Sequence, residues 1–142
     1  MAIADTVKHD LATAMKAGEK DRVGALRLVL SELQKAAKDG GDDEQAVLRR
    51  ERKRRLEAAR AFADAARPEL ARAEEEEAEM IAAYLPAELS DDELRAIVVA
   101  AIAESGASTA KDMGQVMKAA MPKIAGRADG KRVSALVQET LA

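Results

Sequence analysis

Apolar side chains recur along this chain at steps of three and four residues, the period of a helix with one buried face. Ile3, Val7, Leu11 and Ala14 predict a first helix that runs to about Ala17 and stops at Gly18. Val23, Leu26, Leu30, Leu33 and Ala37 mark a second, ended by Gly40 and Gly41. Asp42 or Asp43 is placed to cap a third helix from about Glu44 to Ala66, which would be about 35 Å long. Pro68 suits the first turn of a fourth, with Leu70, Ala73, Met80 and Ile81 available for packing. Pro86 disfavours helix at Leu85, so the segment Tyr84 to Leu89 reads as a boundary. Ser90 and Glu93 form a capping box for a fifth helix carrying Leu94, Ile97, Val98, Ala101 and Ile102 and ended by Gly106. Ser108 or Thr109 caps a sixth, with Met113, Val116, Met117, Ala120 and Met121 on its inner face and Pro122 closing it. After a turn at residues 126–130, Asp129 caps a seventh, in which Val133, Leu136, Val137 and Leu141 face inward. The expected architecture is all-α. A four-helix N-terminal part with a long helical hairpin (residues 1–86) precedes a small three-helix domain (residues 87–142).

Composition agrees with that pattern. Apolar residues make up 48% of the 142 positions but aromatics only 1%, so alanine and aliphatics must fill the cores. Charged residues reach 35%, and a mixture of Ala, Leu, Glu, Lys and Arg favours helix almost everywhere. With no cysteine, disulfides and thiolate chemistry are excluded, which fits a cytoplasmic protein. No apolar run approaches a membrane span, and the N-terminus has neither a basic start nor an apolar core, so no signal peptide is expected.

The net charge of −3 gives no general attraction to nucleic acid, so any such binding must come from local patches. One patch lies between positions 111 and 132. Lys111, Lys118, Lys123, Arg127, Lys131 and Arg132 there outnumber Asp112 and Asp129 by four charges. Lys111 and Lys118 fall on the helix face opposite Met113, Val116 and Met117. Lys131 and Arg132 sit in the first turn of the seventh helix, where cations oppose the helix dipole. A phosphate held by free N–H groups after Asp129 would offset that cost; a solvated basic turn is the plainer alternative.

A second patch, Arg49, Arg50, Arg52, Lys53, Arg54 and Arg55, surrounds a single acid, Glu51. It is either a further phosphate-binding surface or the partner of the acidic run Glu74 to Glu77 and Glu79 across the Pro68 turn. Aromatics for base stacking are missing, and internal pairing is the favoured reading.

Three segments carry a family resemblance. Tyr84-Leu-Pro-Ala-Glu-Leu-Ser90, Asp112-Met-Gly-Gln-Val-Met117 and Met121-Pro-Lys-Ile-Ala-Gly-Arg-Ala-Asp-Gly130 closely resemble the YqeY family of bacterial proteins, and the likeness extends over essentially the whole chain. That family's C-terminal domain is similar to the tail of GatB, the subunit of the glutamine-dependent, carbon–nitrogen ligase class of tRNA amidotransferase that holds misacylated tRNA. The resemblance implies a tRNA-binding module and turns the reading of the 111–132 patch toward RNA. It further implies an amidotransferase or aminoacyl-tRNA synthetase as a partner. GatB's kinase-like body and its glutamine-hydrolysing partner subunit have no counterpart here.

No catalytic constellation accompanies these patches. His9 is the only histidine and falls off the apolar face of its helix, so neither a metal cluster nor a Ser-His-Asp arrangement can be assembled. The carboxylates occur in exposed runs, and neither glycine-rich phosphate fingerprint is present. Gly114, inside the sixth helix, is read as a site of close helix packing or of close RNA approach, the first being favoured. The methionines at 113, 117 and 121 are read as core filler. The expectation is a non-catalytic tRNA-binding accessory protein without cofactor or metal. Its alternative is an adaptor that docks a translation-related protein through the N-terminal helices.

Overall fold

The computed structural model describes residues 2–40 and 43–142 and divides them into two compact units, with the boundary between Pro86 and Ala87. Among the described residues all regular structure is helical. The first unit holds α1 (Ile3–Ala17), α2 (Lys20–Lys38), α3 (Glu44–Asp64) and α4 (Pro68–Ala82). The second holds α5 (Asp91–Ser105), a 3-10 turn (Ala110–Asp112), α6 (Met113–Ile124) and α7 (Gly130–Leu141).

Each terminus has a local cause. Gly18 (φ 71°) ends α1 in the left-handed conformation that glycine enters without a Cβ clash. Asp43 caps α3 by accepting the Ala46 N–H at 2.7 Å; Asp42 and Gly41 lie outside the described residues. Glu44 in the first turn of α3 reaches back to α1, accepting the N–H groups of Ile3 and Ala4 at 2.9 and 2.8 Å. A carboxylate there satisfies two of the four free donors of α1 and complements its dipole. Periodicity carries no trace of this contact across forty residues.

The core of the first unit is Val7, Ala14, Leu26, Val29, Leu33, Val47, Leu48 and Ile81. Several expected packing residues differ. Val29 is buried where Ala37 is exposed, and on α4 the inward positions are Ala71, Ala78 and Ile81 rather than Leu70 and Ala73. α4 faces α3 through small side chains because α3 presents bulky charged groups at that seam. Arg55 and Glu51 are both buried, their guanidinium and carboxylate 2.7 Å apart, and Arg55 also lies 3.3 Å from Glu77 on α4. Tyr84 donates its hydroxyl to the Asp10 carboxylate, and burial followed by that bond raises the phenol's pKa well above its ordinary value. α3 ends at Asp64, two residues before the expected Ala66, which turns instead with φ 59°.

The second unit packs Leu89, Leu94, Val98, Ala101, Val116, Ala120, Ile124, Ala128, Val133 and Val137 into one cluster. Ser90 and Glu93 close the capping box, with bonds of 3.1 and 3.0 Å. Two expectations for α6 are corrected. Pro122 does not end the helix, which continues to the fully buried Ile124 and stops at Ala125 (φ 50°). Near the end of a helix, proline forfeits one N–H bond, and burial of Ile124 outweighs that loss. Met121 is accordingly turned outward, 38% exposed, while Met113 and Met117 stay partly buried against the core.

Removing Glu51 should expose the cost of the buried pair. Glu51→Ala leaves Arg55 with Glu77 and the residue 51 carbonyl, and is expected to destabilise the first unit by about 1–3 kcal/mol, measured by urea unfolding. Glu76→Gln on the same hairpin, an exposed position, is expected to stay within about 0.5 kcal/mol.

Candidate nucleic-acid interface

The six cations between positions 111 and 132 divide by what they touch. Arg132 is a structural residue. Its Nη1 donates to the Leu89 carbonyl at 2.9 Å and its Nη2 lies 2.7 Å from an Asp91 carboxylate oxygen. Arg127 is committed as well, donating from Nε to the Ile124 carbonyl and from Nη2 to the Lys123 carbonyl, both at 3.1 Å. Those carbonyls are the free acceptors at the end of α6, where a cation also complements the dipole. Lys123 pairs with Glu104 at 2.7 Å, but both side chains are about half exposed, so the pair adds little and yields easily.

Lys111, Lys118 and Lys131 are exposed and make no ion pair among the described residues. The two cations at the start of α7 are used differently. Asp129 accepts the Lys131 N–H at 3.2 Å, and Arg132 is turned away to hold the segment before α5. Only Lys131 remains available there.

Lys111 and Lys118 are brought onto one surface, about 10 Å apart along the axis. The turn at Ala110–Asp112 leads directly into α6, and the exposed positions that follow are Gly114, Gln115 and Lys118. Val116, Ala120 and Ile124 point the other way, into the core, so the outward face carries these polar positions together with the exposed Met121. Asp112, beside Lys111, keeps its negative charge and is tied to the backbone before the turn. Its carboxylate accepts the N–H groups of Ser108 and Thr109 at 3.0 and 3.3 Å, and these bonds, Ser108 first, hold its pKa below the ordinary value.

Gly114 corrects a further expectation. No helix packs against it, and a Cβ built there would meet no atom within 4 Å. Sequence reasoning missed Gln115 as a member of this face, although its place between Lys111 and Lys118 at helical spacing was the available signal.

The second basic run is dispersed. Arg55 is buried on Glu51 and Glu77, Arg54 is 3.0 Å from Glu51, and Arg50 and Arg52 also have partners. Arg49 is half-buried and Lys53 exposed. The acid inside the run, Glu51, takes two of its arginines, and Glu77 is the residue of the acidic run that an arginine reaches. Among the described residues no group of His, Cys, Asp or Glu could hold a metal ion, and no helix is long and apolar enough to cross a membrane.

A family model described as Yqey-like protein matches residues 4–141. The chain belongs to the YqeY family. The match spans both units, so YqeY membership is a property of the whole chain and not of the second unit alone. No curated protein matches it.

The caps that shape the interface have a pH signature. Glu93, bonded to the Ser90 N–H and then to its hydroxyl, has a lowered pKa, as does Asp112. A carboxyl depressed in the folded state contributes stability above its unfolded pKa and loses it as pH falls through the folded value. Unfolding of the second unit should therefore become easier below the ordinary carboxylate range, and Glu93→Gln should flatten that acid limb. Chemical denaturation at a series of pH values, read alongside carboxyl chemical shifts, checks both.

Proposed function

We propose that this YqeY-family chain is a non-catalytic tRNA-binding accessory protein whose second unit contacts the RNA through the outer face of α6. The observation that carries the reading is the pair Lys111 and Lys118, exposed and without ion pairs on one helix face, with Gln115 between them. Such cations give phosphate contacts, which position a nucleic acid without reading its sequence. Lys131 on α7 and Lys123, once it releases Glu104, are further cations of the same unit, and Arg127 and Arg132 hold its fold. The resemblance of the C-terminal segments to the GatB tail supports the same ligand and suggests an amidotransferase or an aminoacyl-tRNA synthetase as the companion enzyme. Work in translation, in the cytoplasm, follows from that reading.

A second reading, docking of a protein partner by the first unit, is favoured by one feature. A groove between α2 and α4 carries Leu28, 55% exposed, beside Gly24.

The test is a titration of total tRNA against the full chain at several salt concentrations. Lys111→Gln and Lys118→Gln are each expected to weaken binding and to lower the log–log salt slope by about 0.7–0.9. Arg132→Gln is expected to lower the stability of the second unit, through loss of its bonds to Leu89 and Asp91, more than the salt slope. Salt-independent affinity, or slopes unchanged in both lysine variants, would sink the RNA reading.

A further inference from the structure

Gly114 lies in the first turn of α6, where alanine would hold the helix better by up to about 1 kcal/mol. Nothing inside the folded chain accounts for a glycine there. Its φ is not in the left-handed region, it is exposed, and a Cβ would enter open space. The glycines at 18, 40, 106 and 126 have positive φ and end or turn helices, whereas Gly24 and Gly130, like Gly114, are exposed helical positions with open space around them. Gly114 also sits on the face that carries Lys111, Gln115 and Lys118.

The second unit contains no Phe, Tyr, Trp or His anywhere from residue 87 to 142. Proteins that hold single-stranded RNA combine a basic groove with aromatic platforms on which bases stack. This unit has the cations without the platforms. A base-paired stem, whose bases are already stacked on one another, presents phosphates and 2′-hydroxyls instead. Lysines and a side-chain amide, with both donors and an acceptor, match that chemistry.

Resting on the RNA reading above, we infer that the α6 face is built for the backbone of base-paired RNA, with Gly114 the point where that backbone closes on the helix. Lys111 and Lys118 flank the contact and take phosphates on either side. Gln115 faces the sugar edge. The missing side chain at 114 allows the ribose–phosphate chain to approach the helix backbone, so a Cβ there costs the complex while leaving the free protein unharmed.

The full-length chain is titrated with total tRNA, with an RNA stem–loop, and with an unpaired oligoribonucleotide of the same length. The stem–loop is expected to bind about as well as tRNA and the unpaired strand about tenfold more weakly, since no stacking is gained. Gly114→Ala should melt at the same temperature as the parent or higher, yet bind the stem–loop several-fold more weakly, and Gly114→Leu more weakly still. Gly24→Ala, another exposed helical glycine with open space around it, is the control and should leave RNA binding unchanged. If the parent binds neither tRNA nor stem–loop, the RNA reading falls and the inference with it. If the parent binds tRNA with the expected salt slope but both Gly114 variants bind like it, or the unpaired strand binds equally, the inference alone is overturned.

Discussion

Leu89 is gripped from both sides. Its N–H donates to the Arg127 carbonyl at 2.8 Å, its carbonyl accepts from Arg132 at 2.9 Å, and its side chain is buried in the core. A three-helix unit of fifty-six residues has little core to spare, so ordering the segment before α5 matters out of proportion to its length. This clasp fixes the start of α5 against the α6–α7 turn. With α5 and α7 both packed on one side of α6, Val116, Ala120 and Ile124 must point inward, and the opposite side is left to Lys111, Gly114, Gln115, Lys118 and Met121. The candidate interface is a consequence of how the unit closes.

The chain treats its cations in three ways. Arg55 is buried and would be costly if unpaired, so Glu51 and Glu77 both serve it. Arg127 and Arg132 use planar, multi-donor guanidinium groups to hold carbonyl oxygens, a task for which a lysine ammonium is poorly shaped. Lys111 and Lys118, exposed in the 3-10 turn and on α6, are flexible point charges that keep their hydration until an anion arrives. Arg127 and Arg132 thus sit at structural posts, while Lys111 and Lys118 stand at the open face.

Aromatic poverty shapes both halves. With one Tyr and one Phe, cores are filled by Val, Leu, Ile and Ala, and helices approach closely through small residues such as Ala59, Ala71 and Ala78. The single tyrosine is spent on Asp10. Stacking is therefore missing from the interface chemistry, and shape and phosphate contact are what remain. Membership of the YqeY family applies to both units, which places the N-terminal helices within whatever task the family performs.

Element type and most boundaries were legible in the residues, because period, caps and glycine stops act over three or four positions. The Ser90–Glu93 box, the Asp43 and Asp129 caps and the Gly18 and Gly106 stops all depend on such near neighbours. Pro122 was misread because a local rule lost to burial of Ile124, which only the packed unit supplies. The charge patch was legible as a patch, yet its members were not equal. Whether a cation is free depends on partners about twenty to forty residues away: Leu89 and Asp91 for Arg132, Glu104 for Lys123. Sequence alone therefore determined the helices and the number of positive charges between 111 and 132. Tertiary structure decided which of those charges the fold consumes, because a guanidinium or ammonium group pairs with whatever acceptor the packing brings within about 3 Å, however distant in the chain.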